Sequence, residues 1–272
     1  MKLNLCRWFV VGITALTLTC GVSGCAGAAS QSVSGKTPEE IEALLKKAGG
    51  GAASVNHAAD IKDSPYFKAV DVYNLKSQGS LTVISHYKTH QQETEYTCGP
   101  AAAYTVMTHF LGKSPDSEMT IAKIMDTHPA GMADVGTNTR GMVRYFEKQG
   151  WKVRSALSDG SPKDYSAFKK FVLDNLQAGI PTMIENIDWD GHWRVIIGFD
   201  TMGDTLSAND VLILADPYDT SDHCQDGYNI ASAERFFSMW FDSHLFREGE
   251  KERQWLTAVP SGYVVSGRTS QK

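Results

Sequence analysis

Three apolar runs in close succession constrain this chain more than any other feature. Ile180 to Ile187, Trp193 to Phe199 and Val211 to Ala215 are short and largely apolar. Turn residues such as Asp190-Gly191 and Gly203-Asp204 bound them, so they read as consecutive strands. Upstream the period is helical. Met142, Val143 and Phe146 share one face of a helix over Thr139 to Gly150, and Phe168, Phe171, Val172 and Leu176 one face of a helix over Asp164 to Gly179. A further helix is expected from Thr120 to Asp126, a strand from Ser80 to Tyr87, a short helix from Ala231 to Trp240 and a last strand from Trp255 to Val259. Helices first and strands second is the order of an α+β domain.

The stretch from Gln92 to Phe110 reads QETEYTCGPAAAYTVMTHF. Cys98-Gly99-Pro100 breaks the incoming chain, and an apolar, helix-forming run follows. Proline is well placed in a first helical turn, where its missing N–H costs nothing. A thiol at that position faces unsatisfied backbone N–H groups and the positive end of the helix dipole, which favour the reactive thiolate. The alternative is a small buried hydrophobe, the usual fate of an unbridged cysteine.

The N-terminus has a different character. Lys2 and Arg7 precede an apolar segment from Trp8 to Leu18, and a small-residue site, Val22-Ser23-Gly24-Cys25, follows. That is the tripartite pattern of a secretory signal and is too short for a spanning helix. Its ending resembles a bacterial lipobox, which implies cleavage after residue 24 and lipid attachment at Cys25; the alternative is an ordinary cut near Ala26 to Ala29. Both make the protein exported, and the first makes its partner a membrane through a lipid anchor. Residues 25–65 read as a flexible tether containing one amphipathic helix, Thr37 to Ala48, with capping-box spacing between Thr37 and Glu40. The compact domain is expected over 66–265 and a disordered tail over 266–272.

Without Lys2 and Arg7, 24 of the 26 basic residues remain against 31 acidic ones, a net charge of −7. No basic run exceeds two residues, so nucleic-acid binding has no electrostatic footprint. Of five cysteines, only Cys98 and Cys224 lie beyond the signal. Two cysteines in an exported chain permit a disulfide, which would silence the thiol at the helix start.

Acyl transfer by a thiol needs a nucleophile, a base, a group to orient the base and donors for the oxyanion. Cys98 is the candidate nucleophile. His192 opens His-Trp-Arg-Val-Ile-Ile-Gly-Phe-Asp at a strand end, and Asp216, in Leu-Ala-Asp-Pro-Tyr, closes the following strand. Adjacent antiparallel strands would set Asp216 beside one nitrogen of the imidazole while the other faces the thiol. Gln92 and the Cys98 N–H are the candidate oxyanion donors, with Gln91 a one-residue alternative.

This ordered set, Gln-(five residues)-Cys-Gly-Pro-Ala, then Gly-His-Trp, then Asp-Pro, resembles the papain-like cysteine peptidases. Within them it is similar to the branch of the double-glycine leader peptidases of bacteriocin exporters and their stand-alone relatives. The resemblance spans roughly Tyr87 to Tyr218. It implies a papain-like α+β fold, with a cysteine-bearing helix packed on an antiparallel sheet carrying His and Asp. It also implies the oxyanion glutamine at Gln92, nucleophile at Cys98, base at His192 and orienting acid at Asp216. Thr97 stands where that branch commonly has aspartate, and the exporter's membrane and ATPase parts are absent.

The implied activity is hydrolysis of a peptide or amide bond in a peptide or protein substrate, with no cofactor. Acyl transfer to an amine or thiol and a silent binding module locked by a Cys98–Cys224 bridge are the alternatives. Asp216, Asp219, Asp222 and Asp226 crowd one loop without the glycine and terminal glutamate of a calcium loop, and read as a solvated acidic loop. His86 and His90 lack the glutamate of a metalloprotease motif, and His223-Cys224 is no zinc site by itself. Trp189 and Trp193 flank the candidate base as cleft walls or as core.

Overall fold

The fold is described from a computed structural model over residues 70–129, 131–132, 134–220, 224–242 and 251–265. The expected signal, the lipid-bearing Cys25, the tether with its helix and the C-terminal tail lie outside the described residues.

Short strand β1 (Leu81–Val83) precedes helix α1 (Cys98–Leu111), α2 (Glu118–Met125) and α3 (Thr139–Lys148). Strand β2 (Lys152–Ser155), the single-turn α4 (Ala156–Asp159) and α5 (Tyr165–Gln177) follow. Next come β3 (Thr182–Asn186), β4 (His192–Asp200), β5 (Val211–Ala215), β6 (Tyr228–Ser232), α6 (Ala233–Ser238) and β7 (Trp255–Val259). The strands form one sheet in the order β2-β7-β3-β4-β5-β6, with β1 also on β4, and every pairing is antiparallel.

Local chemistry sets the boundaries. Ser117, Asn138 and Asp164 cap α2, α3 and α5 by accepting the N–H of Thr120, Gly141 and Ala167. The chain leaves α5 through Gly179, whose φ of +69° suits glycine alone. Strand β3 is buried along its whole length and β4 along all but its last residue, so both read as continuous apolar runs rather than as alternation.

Two expectations need correction. The run from Ala231 to Trp240 is not all helix: Tyr228–Ser232 extends as β6 against β5, and the helix begins only at Ala233, capped by Ser232. Strand β2 went unassigned in the sequence. Lys-Val-Arg-Ser is polar and mostly exposed, and it becomes a strand because β7 supplies a partner.

Helix α1 buries Ala101, Ala102, Ala103, Val106 and Met107 against β4. Small residues let the helix backbone come close to the sheet, which fixes the depth of its N-terminus. The closeness reaches Gly99, where a Cβ would meet Thr137 Cβ at 2.9 Å.

Candidate active site

Cys98 is the first residue of α1, buried, and an unbridged thiol. Thr97 gives the helix no side-chain cap, so its first N–H groups are left to whatever lies in front of them. Among the described residues Cys98 and Cys224 are separate thiols, and the Cys224 Sγ donates to Asp226 at 3.6 Å.

His192 opens β4 and Asp216 follows directly on β5. The register pairs Val195 with Ala215, so the chain just beyond β5 runs alongside the beginning of β4. Across that gap Nε2 of His192 donates to Oδ1 of Asp216 at 2.7 Å, and the other side of the ring is hydrogen-bonded to the Cys98 side chain. Asp216 is held from every side. Its Oδ1 also accepts the N–H of Tyr218 at 2.9 Å and of Asp219 at 3.2 Å, while Oδ2 accepts Nε of Arg194 at 2.7 Å. Pro217 offers no N–H to a neighbouring strand, so β5 ends there and the aspartate folds back on its own turn.

The electrostatics follow. Burial pushes the His192 pKa down, but the charge and hydrogen bond of Asp216, helped by the bond to Cys98, outweigh it and raise the ring to about 9; Arg194 opposes the rise. Burial pushes the Asp216 carboxyl up, but His192, Arg194 and the turn N–H groups hold it well below the usual carboxylate range. The site therefore carries an imidazolium against an ionised carboxylate at neutral pH.

Arg194 had not been singled out in the sequence. It spans Asp216 and Asp188, donating to the latter from a terminal guanidinium nitrogen at 2.7 Å. Its place two residues after His192 on a strand, hence on the same face, was the available signal.

Gln92 is buried, with its backbone N–H on the Pro217 carbonyl at 2.9 Å. Its amide nitrogen donates to the Thr94 carbonyl at 2.7 Å, within its own loop, and its Oε1 has no hydrogen-bond partner. The loop thus tethers Gln92 to the Asp216 turn. The adjacent Gln91 sends its amide to the Asp216 carbonyl instead.

The two tryptophans separate cleanly. Trp193 is core, its indole N–H donating to the Thr137 carbonyl at 2.7 Å. Trp189 is 56% exposed, edge-on to the His192 ring at 5.0 Å and tilted against Tyr218 at 5.4 Å. It sits at φ +52°, a costly conformation for a bulky side chain. Trp189 therefore walls the open side of the site.

The acidic loop also needs correction. Asp219 is buried, and its Oδ2 accepts the Gly227 N–H at 2.8 Å, so it braces the loop rather than facing solvent. Asp222 lies outside the described residues. His90, Glu93 and Glu118 bring ligand atoms within 4.8 Å of one another. Glu118, however, already accepts from the Glu93 N–H at 2.9 Å and bonds His90 at 2.7 Å, an internal tie between the loop and α2. No helix among the described residues is long and apolar enough to cross a membrane.

Comparison with known proteins adds the following. No curated protein matches the chain. Among solved structures, the peptidase domain of Streptococcus ComA, described as a bi-functional ABC transporter involved in a quorum-sensing pathway, is 22% identical with a TM-score of 0.44. That match covers 64% of this chain and 99% of the other. The Streptococcus mutans ComA peptidase domain is 19% identical at a TM-score of 0.31, covering 64% and 100%. UfSP from C. elegans is 12% identical at 0.42, covering 82% of this chain and 46% of its own. The model of the Peptidase C39 like family matches residues 84–242, more than half of the 272-residue chain and the part that holds Cys98, His192 and Asp216. The chain belongs to the Peptidase C39 like family, with the papain-like, helix-plus-antiparallel-sheet fold of a cysteine peptidase.

Proposed function

We propose that this protein is a thiol hydrolase that cleaves a peptide or amide bond through Cys98, His192 and Asp216. The observation that carries the reading is one continuous chain of hydrogen bonds from the Cys98 thiol through both nitrogens of His192 to Asp216. In this scheme Cys98 Sγ attacks the substrate carbonyl carbon and its proton resides on His192. The tetrahedral oxyanion is met by backbone N–H groups at the uncapped start of α1, with the Cys98 N–H foremost. Gln92 contributes its second amide N–H once the loop to Thr94 adjusts. His192 then protonates the leaving amine as the C–N bond breaks, leaving a thioester on Cys98. Water, deprotonated by His192, attacks the thioester and releases a carboxylic acid and the thiol.

Asp216 keeps the ring oriented and charged, and its own orientation is fixed by Arg194 and the turn N–H groups. The chemistry draws on side chains and water. On the reading of the N-terminus given above, the enzyme acts outside the cytoplasm, tethered to the envelope by a lipid on Cys25, and its substrate is a peptide or protein met there.

A peptide library incubated with purified protein and read by mass spectrometry tests the proposal. New termini should appear with the wild type and vanish with Cys98→Ala. Full cleavage by Cys98→Ala would sink it. Added acceptor amines separate hydrolysis from transfer, because only transfer leaves a stable amide adduct on the product.

A further inference from the structure

The mechanism above makes no use of a second pair of acids beside it. Glu185 lies on β3 directly opposite Trp193 of β4, so the two project from the same face of the sheet. Its carboxyl is fully buried, and neither oxygen meets a conventional hydrogen-bond donor at normal geometry. Asp242, equally buried, lies against it. The chain that crosses this pair is Gly191, the residue immediately before the candidate base. A Cβ at Gly191 would stand 2.6 Å from Asp242 Oδ2 and 3.0 Å from Glu185 Oε1. At φ +120° the position also favours glycine on conformational grounds. The turn that delivers His192 to Cys98 thus rests directly on the two carboxyl groups.

Two ionised carboxylates in contact and out of water would repel strongly, and no cation faces Glu185 from the neighbouring elements to relieve them. The ionisable groups that do face it are Asp242 beyond α6, Cys98 at the head of α1 and His192 at the start of β4, the last through its backbone N–H. The arrangement is stable with one proton between the two acids.

We propose that Glu185 is a positioning residue for His192: as a neutral acid it donates a proton to the Asp242 carboxylate and accepts the His192 N–H, seating the Gly191–His192 turn. Burial, then the Asp242 charge and hydrogen bond and the nearness of Cys98, hold the Glu185 carboxyl well above the ordinary range, consistent with a proton retained at neutral pH. Neutrality also spares Cys98 a second negative charge. The inference rests on the thiol-hydrolase reading for its functional consequence, but the protonation state and the seating of the turn stand independently of it.

Three variants of the full chain test this: Glu185→Leu, Glu185→Gln and Asp242→Asn. Glutamine can still donate to Asp242 and accept from His192; leucine does neither. Replacing a buried polar group by an apolar one of similar size is often neutral or stabilising. A purely structural Glu185 therefore predicts that Glu185→Leu keeps its melting temperature and its thiol reactivity. The positioning role predicts that Cys98 alkylation by iodoacetamide slows roughly ten- to a hundredfold in Glu185→Leu, as expected for a displaced reacting group, and recovers in Glu185→Gln. Infrared difference spectra supply the second readout. The wild type should show a protonated-carboxyl band at neutral pH that disappears in Glu185→Gln and is altered in Asp242→Asn. Unchanged alkylation in Glu185→Leu, or no such band in the wild type, overturns the proposal. If Glu185→Leu does not fold, the wild-type band and the two amide variants decide. If the band behaves as expected and no peptide is cleaved by the wild type, the hydrolase reading fails while the acid pair stands.

Discussion

Nε2 of His192 and Oδ1 of Asp216 are 2.7 Å apart, and the other oxygen of the same carboxylate is 2.7 Å from Nε of Arg194. One buried acid thus holds two cations, each on its own oxygen. The competition has a direction: Arg194 lowers the His192 pKa, yet the ring still titrates at about 9 because Asp216 outweighs both burial and the arginine.

Asp216→Asn removes the charge and keeps the shape. Burial and Arg194 then act on His192 unopposed, and the ring should titrate below its ordinary value of about 6.5. NMR of the imidazole nitrogens reads this directly. Peptide cleavage should fall by roughly two to four orders of magnitude, the usual scale for loss of an orienting acid or a positioned base. A ring still titrating near 9 in the variant would contradict the electrostatic account.

Stability should follow the same groups. His192 is raised in the native state, so the stabilisation it brings is complete below about pH 6.5 and fades as pH rises through about 9. Asp216 is depressed, so its contribution is complete above about pH 3.9 and fades as pH falls toward its native value. Glu185 works in the opposite sense: the unfolded chain releases that proton first, so stability declines as pH rises from about 4.3 toward its raised native value. Urea denaturation across pH should show a flatter neutral slope for Glu185→Gln and a weaker alkaline decline for His192→Gln. Slopes identical to the wild type in both would count against these assignments.

The two tryptophans give opposite expectations for one substitution. Trp193→Phe strands the buried Thr137 carbonyl and should cost roughly 1–3 kcal/mol of stability. Trp189→Phe removes no printed hydrogen bond from a side chain that is 56% exposed, and should stay within about 0.5 kcal/mol. Its effect should fall on KM, since the ring walls the open side of His192. Chemical denaturation and cleavage kinetics on the two proteins check both halves.

Gly191→Ala forces a Cβ against Asp242 and Glu185 in a backbone conformation that favours glycine. A cost of roughly 1–3 kcal/mol from strain is expected, together with loss of cleavage as His192 is displaced. Full activity in a folded Gly191→Ala protein would show that the turn does not fix the base.

Much of this site was legible in the residues because the chemistry is carried by strand ends and a helix start. Cys98 before Gly-Pro marks a helix N-terminus, and His192 and Asp216 bracket two strands with a short connection, so antiparallel pairing alone sets them side by side. What was illegible depended on tertiary partners. Strand β2 exists only because β7 lies beside it, and the first half of the 231–240 run became strand because β5 offered an edge. Glu185 hid inside an apolar run, where one acid looks like an interruption until Asp242, 57 positions later, is folded against it. Gln92 illustrates the remaining limit: spacing put it near the thiol, but its amide direction is set by the loop carbonyl of Thr94, which spacing does not reveal.

The central claim is that Cys98 and His192 act as one unit, and alkylation of Cys98 by iodoacetamide across pH, in wild type and His192→Ala, tests it most directly. The wild type should react faster than the variant at every pH at which the imidazole is protonated, and the two rates should converge as pH passes about 9. Equal rates for the two proteins across the whole range would mean that the histidine does nothing for the thiol, and the proposed hydrolase would have lost its base.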